Sequence, residues 1–197
     1  MITFIGKVGC VMKKHYLFVS AVCILSVLLL SFRADPLRAA TSQEIQDSIH
    51  NGMSCLALAQ DVDGSWGYPF SQDRVAIAGL AVMKLEQYAI FLGYESPFDP
   101  GYIYSENVVN GFKYIFSHAG NYGPGSGLCF GKGPRETYNT AAVMMAIISS
   151  RDPNRLAVSG NPMAHDKTFF TITQLNVNFF DWSQNPDGGW GAQVSST

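Results

Sequence analysis

The chain has 197 residues, of which 47% are hydrophobic, 13% aromatic and 14% charged. That balance excludes a disordered polypeptide and allows one domain with a real core, with no room for two large ones. The formal net charge is −2, and beyond residue 40 eight basic side chains stand against fourteen acidic ones, which leaves no electrostatic footprint for nucleic acid.

The first element is an apolar run of 17 residues, Tyr16 to Phe32. Lys13 and Lys14 precede it, and Arg33, Asp35, Pro36 and the small pair Ala39–Ala40 follow. A charged start, an apolar middle and small residues at the end describe a secretory signal. Its length falls between the ~7–15 residues of such a segment and the ~17–25 of a membrane span. Residues 1–40 are therefore expected to be a signal peptide or an uncleaved membrane anchor, and 41–197 a body that is secreted or held facing outside. Cys10 and Cys23 lie in the targeting segment. Cys55 and Cys129 permit one disulfide, although two small buried apolar residues is the simpler reading. No spacing suits a metal, and no cofactor is expected.

The body begins with a helical pattern. Ile45, Ile49, Met53 and Leu56 recur at intervals of three or four, which predicts a one-sided helix ahead of Gln60. Val75 to Met83 is apolar all round and predicts a helix buried on every side. Gly93 to Tyr104, with two prolines, reads as a loop. Val108, Val109, Phe112, Ile115 and Phe116 restore the amphipathic pattern. A glycine-rich stretch to Pro134 follows, and His118 at the helix end supplies a favourable end charge. Ala141 to Ile148 is again apolar all round. After a polar loop, Phe169, Ile172, Leu175, Phe179 and Trp182 predict a last amphipathic helix. No useful strand alternation appears, so about five helices and an all-α class are expected.

Between these helices a turn recurs. Gln60-Asp-Val-Asp-Gly64-Ser-Trp66-Gly67 returns 124 residues later as Gln184-Asn-Pro-Asp-Gly188-Gly-Trp190-Gly191. A weaker third copy, Gly120-Asn-Tyr122-Gly123, has tyrosine for tryptophan and Ala119 near the place of glutamine. The glycines permit a tight reversal. The indole offers a large flat surface to the neighbouring layer, and the glutamine can satisfy backbone groups next door. The motif is read as a structural staple.

Gly52-x-x-Cys55-Leu56-x-x-x-Gln60-x-x-x-Gly64-x-Trp66, with its second copy from Phe179-Phe180 through Gln184 and Gly188 to Trp190, resembles the QW repeat of the squalene cyclase and protein prenyltransferase β-subunit superfamily. The resemblance covers residues 43 to 191. It implies a partial α/α toroid of helical hairpins in two layers, with glutamine and tryptophan stacked between outer helices. It also implies an apolar or isoprenoid ligand. Cyclases of this kind that act by protonation carry Asp-x-Asp-Asp-Thr-Ala at an inner helix. The matching stretch here is Glu136-Thr137-Tyr138-Asn139-Thr140-Ala141, in which tyrosine replaces the proton donor. A phenol with a pKa near ~10 is a poor acid toward an alkene. The zinc site of the prenyltransferases has no counterpart among Cys55, Cys129, His50, His118 and His165. A closed toroid takes more hairpins, so further repeats, or another chain, are expected to complete it, and the sequence is read as a fragment, a truncated product or one part of an assembly. The expectation is an exported, non-catalytic repeat module for binding or scaffolding. The alternative is an isoprenoid enzyme fragment whose catalytic residues lie elsewhere.

Overall fold

The computed structural model describes residues 39–67, 71–122, 127–131, 133–158 and 161–191. They hold five helices, α1 (Ser42–Leu58), α2 (Arg74–Phe91), α3 (Ser105–Ser117), α4 (Glu136–Ser149) and α5 (Phe169–Ser183), and one antiparallel hairpin, β1 (Ala119–Tyr122) with β2 (Gly127–Phe130). The apolar run at 16–32, with Cys10 and Cys23, lies outside the described residues. Among the described residues no helix is long and apolar enough to cross a membrane. The chain divides into two compact units, Met1–Gln46 and Asp47–Thr197. In the first, the start of α1 is set by a reciprocal cap. Thr41 Oγ1 accepts from the Glu44 backbone N–H at 3.2 Å, and Glu44 Oε2 accepts from the Thr41 N–H at 2.7 Å.

The second unit is built around α2 and α4. They meet through small residues, Gly79 and alanines on α2 and alanines on α4. A Cβ added at Gly79 of α2 would lie 3.0 Å from the Ala142 backbone of α4, so the two helices approach at backbone distance. Val75, Ala78, Val82, Leu85 and Ala89 from α2 and Val143, Ala146 and Ile147 from α4 are buried there. Full burial of a large aliphatic side chain contributes roughly 1.5–3 kcal/mol. Phe112 and Phe116 of α3, Phe130 of β2 and Phe169 of α5 extend this core, with the Phe112 and Phe169 rings 4.9 Å apart. The helix at α2 is buried on most sides, as its apolar pattern predicts, with Lys84, Gln87 and Phe91 exposed. The helix at α4 is less enclosed than predicted, because Met145 and Ile148 are exposed. The amphipathic helices differ too. Helix α3 buries Val108, Phe112, Ile115 and Phe116, whereas α1 buries only Ala57.

Two expectations are corrected. The weak third turn copy is a strand. Gly120 pairs with Cys129, and the backbone of Tyr122 pairs with Gly127. With alanine at 119 there is no glutamine to tie a turn together, and the backbone polar groups are satisfied by strand pairing instead. The chain is therefore mostly helical with one small sheet. Cys129 is buried, as the simpler reading of the two cysteines has it, but Cys55 is exposed, and no disulfide joins them.

Candidate functional site

The first tryptophan turn is assembled from local and distant bonds. The Trp66 indole N–H donates to Leu56 O at 2.7 Å, and Gln60 Nε2 donates to Gly64 O at 3.0 Å. Gly64 has φ +89°, a value that side-chain-bearing residues rarely adopt, and an added Cβ would strike the Asn110 carbonyl of α3. Gln60 Nε2 also donates to Asn107 O at 3.0 Å, while Asn107 Nδ2 donates to Gln60 Oε1 at 2.8 Å and to Ala57 O at 3.1 Å. Trp66 is thereby enclosed, 3% exposed, with Gly111 of α3 against its ring. Arg74, at the start of α2, binds Asp61 at 2.7 Å and Asp63 at 3.4 Å across the turn.

The second turn repeats the local half of this set. Trp190 Nε1 donates to Phe180 O at 2.8 Å, Gln184 Nε2 donates to Gly188 O at 2.8 Å, and Gly188 has φ +84°. Every partner stands 124 positions beyond its counterpart in the first turn. Trp190 nevertheless remains 50% exposed. No described residue stands over it as α3 stands over Trp66.

The residues aligned with a cyclase acid take other roles. Tyr138 is 47% exposed on the outside of α4. Asn139 is 1% exposed and ties three segments together. Its Oδ1 accepts from the Ala76 N–H at 3.2 Å, and its Nδ2 donates to Gln72 O at 3.2 Å and Gly131 O at 3.3 Å. Glu136 opens α4 with Oε1 accepting from the Gly133 N–H at 3.0 Å, an acidic group at the positive end of a helix.

A cleft of about 510 Å³ lies beside these residues, where the starts of α2 and α4 meet the hairpin. Asp63, Arg74, Tyr114, His118 and Arg135 line it. Its cations are engaged, Arg74 by Asp61 and Asp63, and Arg135 by Asp73 at 3.2 Å. His118 caps α3 with Nδ1 2.9 Å from Tyr114 O, in keeping with its predicted place at a helix end. Ser117 Oγ stands 3.0 Å from His118 Nδ1 and donates to Tyr114 O at 2.6 Å, so both side chains are turned to the end of their own helix. Among the described residues no three His, Cys, Asp or Glu side chains could share a metal ion.

One ionisable residue escaped the sequence reading. Glu86, in the middle of α2, is fully buried, and neither carboxylate oxygen has a hydrogen-bond partner. Desolvation by burial pushes its pKa well above the ordinary glutamate value. The folded chain therefore holds a proton that the unfolded chain loses above about pH 4.3. Stability from this group is full below that pH and is lost as pH rises through the folded pKa. Thermal melts from pH 4 to 8 are expected to decline over that window, and Glu86→Leu to flatten the decline and raise stability at neutral pH.

Glu86 was missed because it stands three residues beyond the apolar run that ends at Met83, where Lys84 and Glu86 read as the run's polar end. Asn107 and Gly111 were missed because the partners of a turn, 40 or more residues away, leave no mark in local periodicity. The described residues form a mostly helical body with one small sheet and two tryptophan-bearing turns of one local geometry. Compared with known proteins, the chain has no significant match to a family model, a curated protein or a solved structure.

Proposed function

We propose that this chain is an exported helical repeat module, built as part of an α/α toroid of the squalene cyclase and prenyltransferase type, that serves in binding or as a scaffold and not as a catalyst. The observation that carries this reading is Asn139. The position aligned with an acid is occupied by an amide whose two polar atoms are both committed to backbone groups. The neighbouring Tyr138 faces away from the core. The two tryptophan turns of one geometry support a repeat that is built to be stacked. The apolar run at 16–32 behind two lysines supports export, as a cleaved signal or as an anchor. Exposed aromatic and aliphatic residues on α4 and α5 suit an apolar or isoprenoid ligand, and the acidic body does not suit nucleic acid.

A second reading, an isoprenoid enzyme whose acid lies outside the family motif, has one observation in its favour. Glu86 is a buried carboxyl without a hydrogen-bond partner, and its desolvation favours the protonated form, the form a proton donor to an alkene needs. It lies outside the cleft at the starts of α2 and α4. Incubation of the purified full chain with squalene or with prenyl diphosphates separates the readings. No cyclised or transferred product is the expected result. A product that disappears in Glu86→Gln or Glu136→Gln would overturn the scaffold reading.

A further inference from the structure

We infer that copies of this chain join head to tail, the Trp190 turn of one copy seating on the Asn51–Gly52 face of α1 in the next. The inference deepens the scaffold reading by naming its partner.

The interface it requires already exists once inside the chain. Gly52 of α1, Gly111 of α3 and Asn176 of α5 each lie eight positions before the corresponding motif position, Gln60, Ala119 and Gln184. At two of these three places the preceding turn or hairpin is seated. On α3, an added Cβ at Gly111 would strike Val82 Cγ2 of α2 and come within 3.1 Å of Trp66 Cζ3, so glycine admits both that α2 side chain and the indole. On α5, Asn176 Nδ2 donates to Leu128 O of the hairpin at 2.7 Å. On α1 the same position is exposed, and a Cβ at Gly52 would meet nothing within 4 Å. Glycine in an exposed helix interior costs about 1 kcal/mol relative to alanine, and no contact among the described residues explains it there. The dipeptide Asn110–Gly111 that receives Trp66 recurs on α1 as Asn51–Gly52.

The opposite half of the joint is at the last turn. Its internal bonds are formed, so its shape is set before any partner arrives. Gln184 makes the bond to Gly188 O, but no described residue plays the part that Asn107 plays for Gln60. Trp190 keeps half its surface in water, where Trp66 keeps 3%. Charge does not oppose the joint. Asp47 of α1 occupies the position of Glu106 on α3, which already stands with a turn bearing Asp61 and Asp63. The two faces differ, so the contact is heterologous and either closes a ring or extends a chain of copies.

Sedimentation velocity of the full chain in mild detergent tests the joint, with circular dichroism as the check on folding. Both Gly52→Leu and Trp190→Ala alter exposed positions, so both variants are expected to fold. The wild-type chain is expected to associate with concentration, and each variant alone to weaken that association by about tenfold or more. An equimolar mixture of the two variants retains one good Trp190 turn and one good Gly52 face. It is expected to recover a one-to-one pair and nothing larger. A wild-type chain that stays monomeric overturns the inference. Association insensitive to both variants, or a mixture that does not recover pairing, overturns it as well. Failure here leaves the turnover test of the scaffold reading untouched, and the reverse also holds.

Discussion

Truncating Trp66 to alanine lowers folding stability by about 3–5 kcal/mol, the cost of removing a large aromatic from a closed site, whereas Trp190→Ala in the isolated chain lowers it by less than about 1 kcal/mol. The two tryptophans make the same indole bond to a carbonyl ten residues back, Leu56 for one and Phe180 for the other. What differs is the cover. Trp66 lies under α3, with Gly111 against its ring, and Trp190 is half exposed. Truncation at Trp66 also leaves the Leu56 carbonyl without its indole donor. Urea unfolding of the two variants side by side checks this. Equal losses would mean that the turn's worth lies in its local bonds and not in the helix packed on it.

Asn139→Ala is expected to cost about 2–4 kcal/mol, because it leaves buried backbone groups without partners. The Ala76 N–H loses its acceptor, and Gln72 O and Gly131 O lose a donor. Asn139→Asp, which restores the aspartate next to the proton-donor position of the cyclase motif, is expected to be no better. A carboxylate keeps the acceptor for Ala76 but turns an oxygen toward two carbonyls in a buried site. Chemical unfolding gives the magnitude for both variants. A stable Asn139→Asp chain that converts squalene would mean that the position is a lapsed acid and not a joint.

These two positions show how far the residues alone could be read. The helices were legible, because Val108, Phe112 and Ile115 mark one face at helical spacing, and Val75 to Met83 marks a helix that water does not reach. The two strong turns were legible because glycine, glutamine and tryptophan at fixed spacing leave few other conformations. The hairpin at 119–130 was not. Gly120-Asn-Tyr122 looks like a degenerate turn, and its strand pairing depends on Leu128, Cys129 and Phe130 being drawn under α5. Asn139 was read only as the replacement of an aspartate beside the lost proton donor, because its partners at Gln72, Ala76 and Gly131 lie in segments that only packing brings together.

The amino-acid order by itself determined the helices and the shape of both tryptophan turns, since the bonds that close each turn span ten residues or fewer. Tertiary structure decided which turn is a buried joint and which an open one, and it decided that Asn139 ties segments together while Glu86 is sealed without a partner. The physical reason is that burial and desolvation belong to neighbours. A side chain's own sequence sets what bonds it can form, but the helix laid over it sets whether water is there to compete for them.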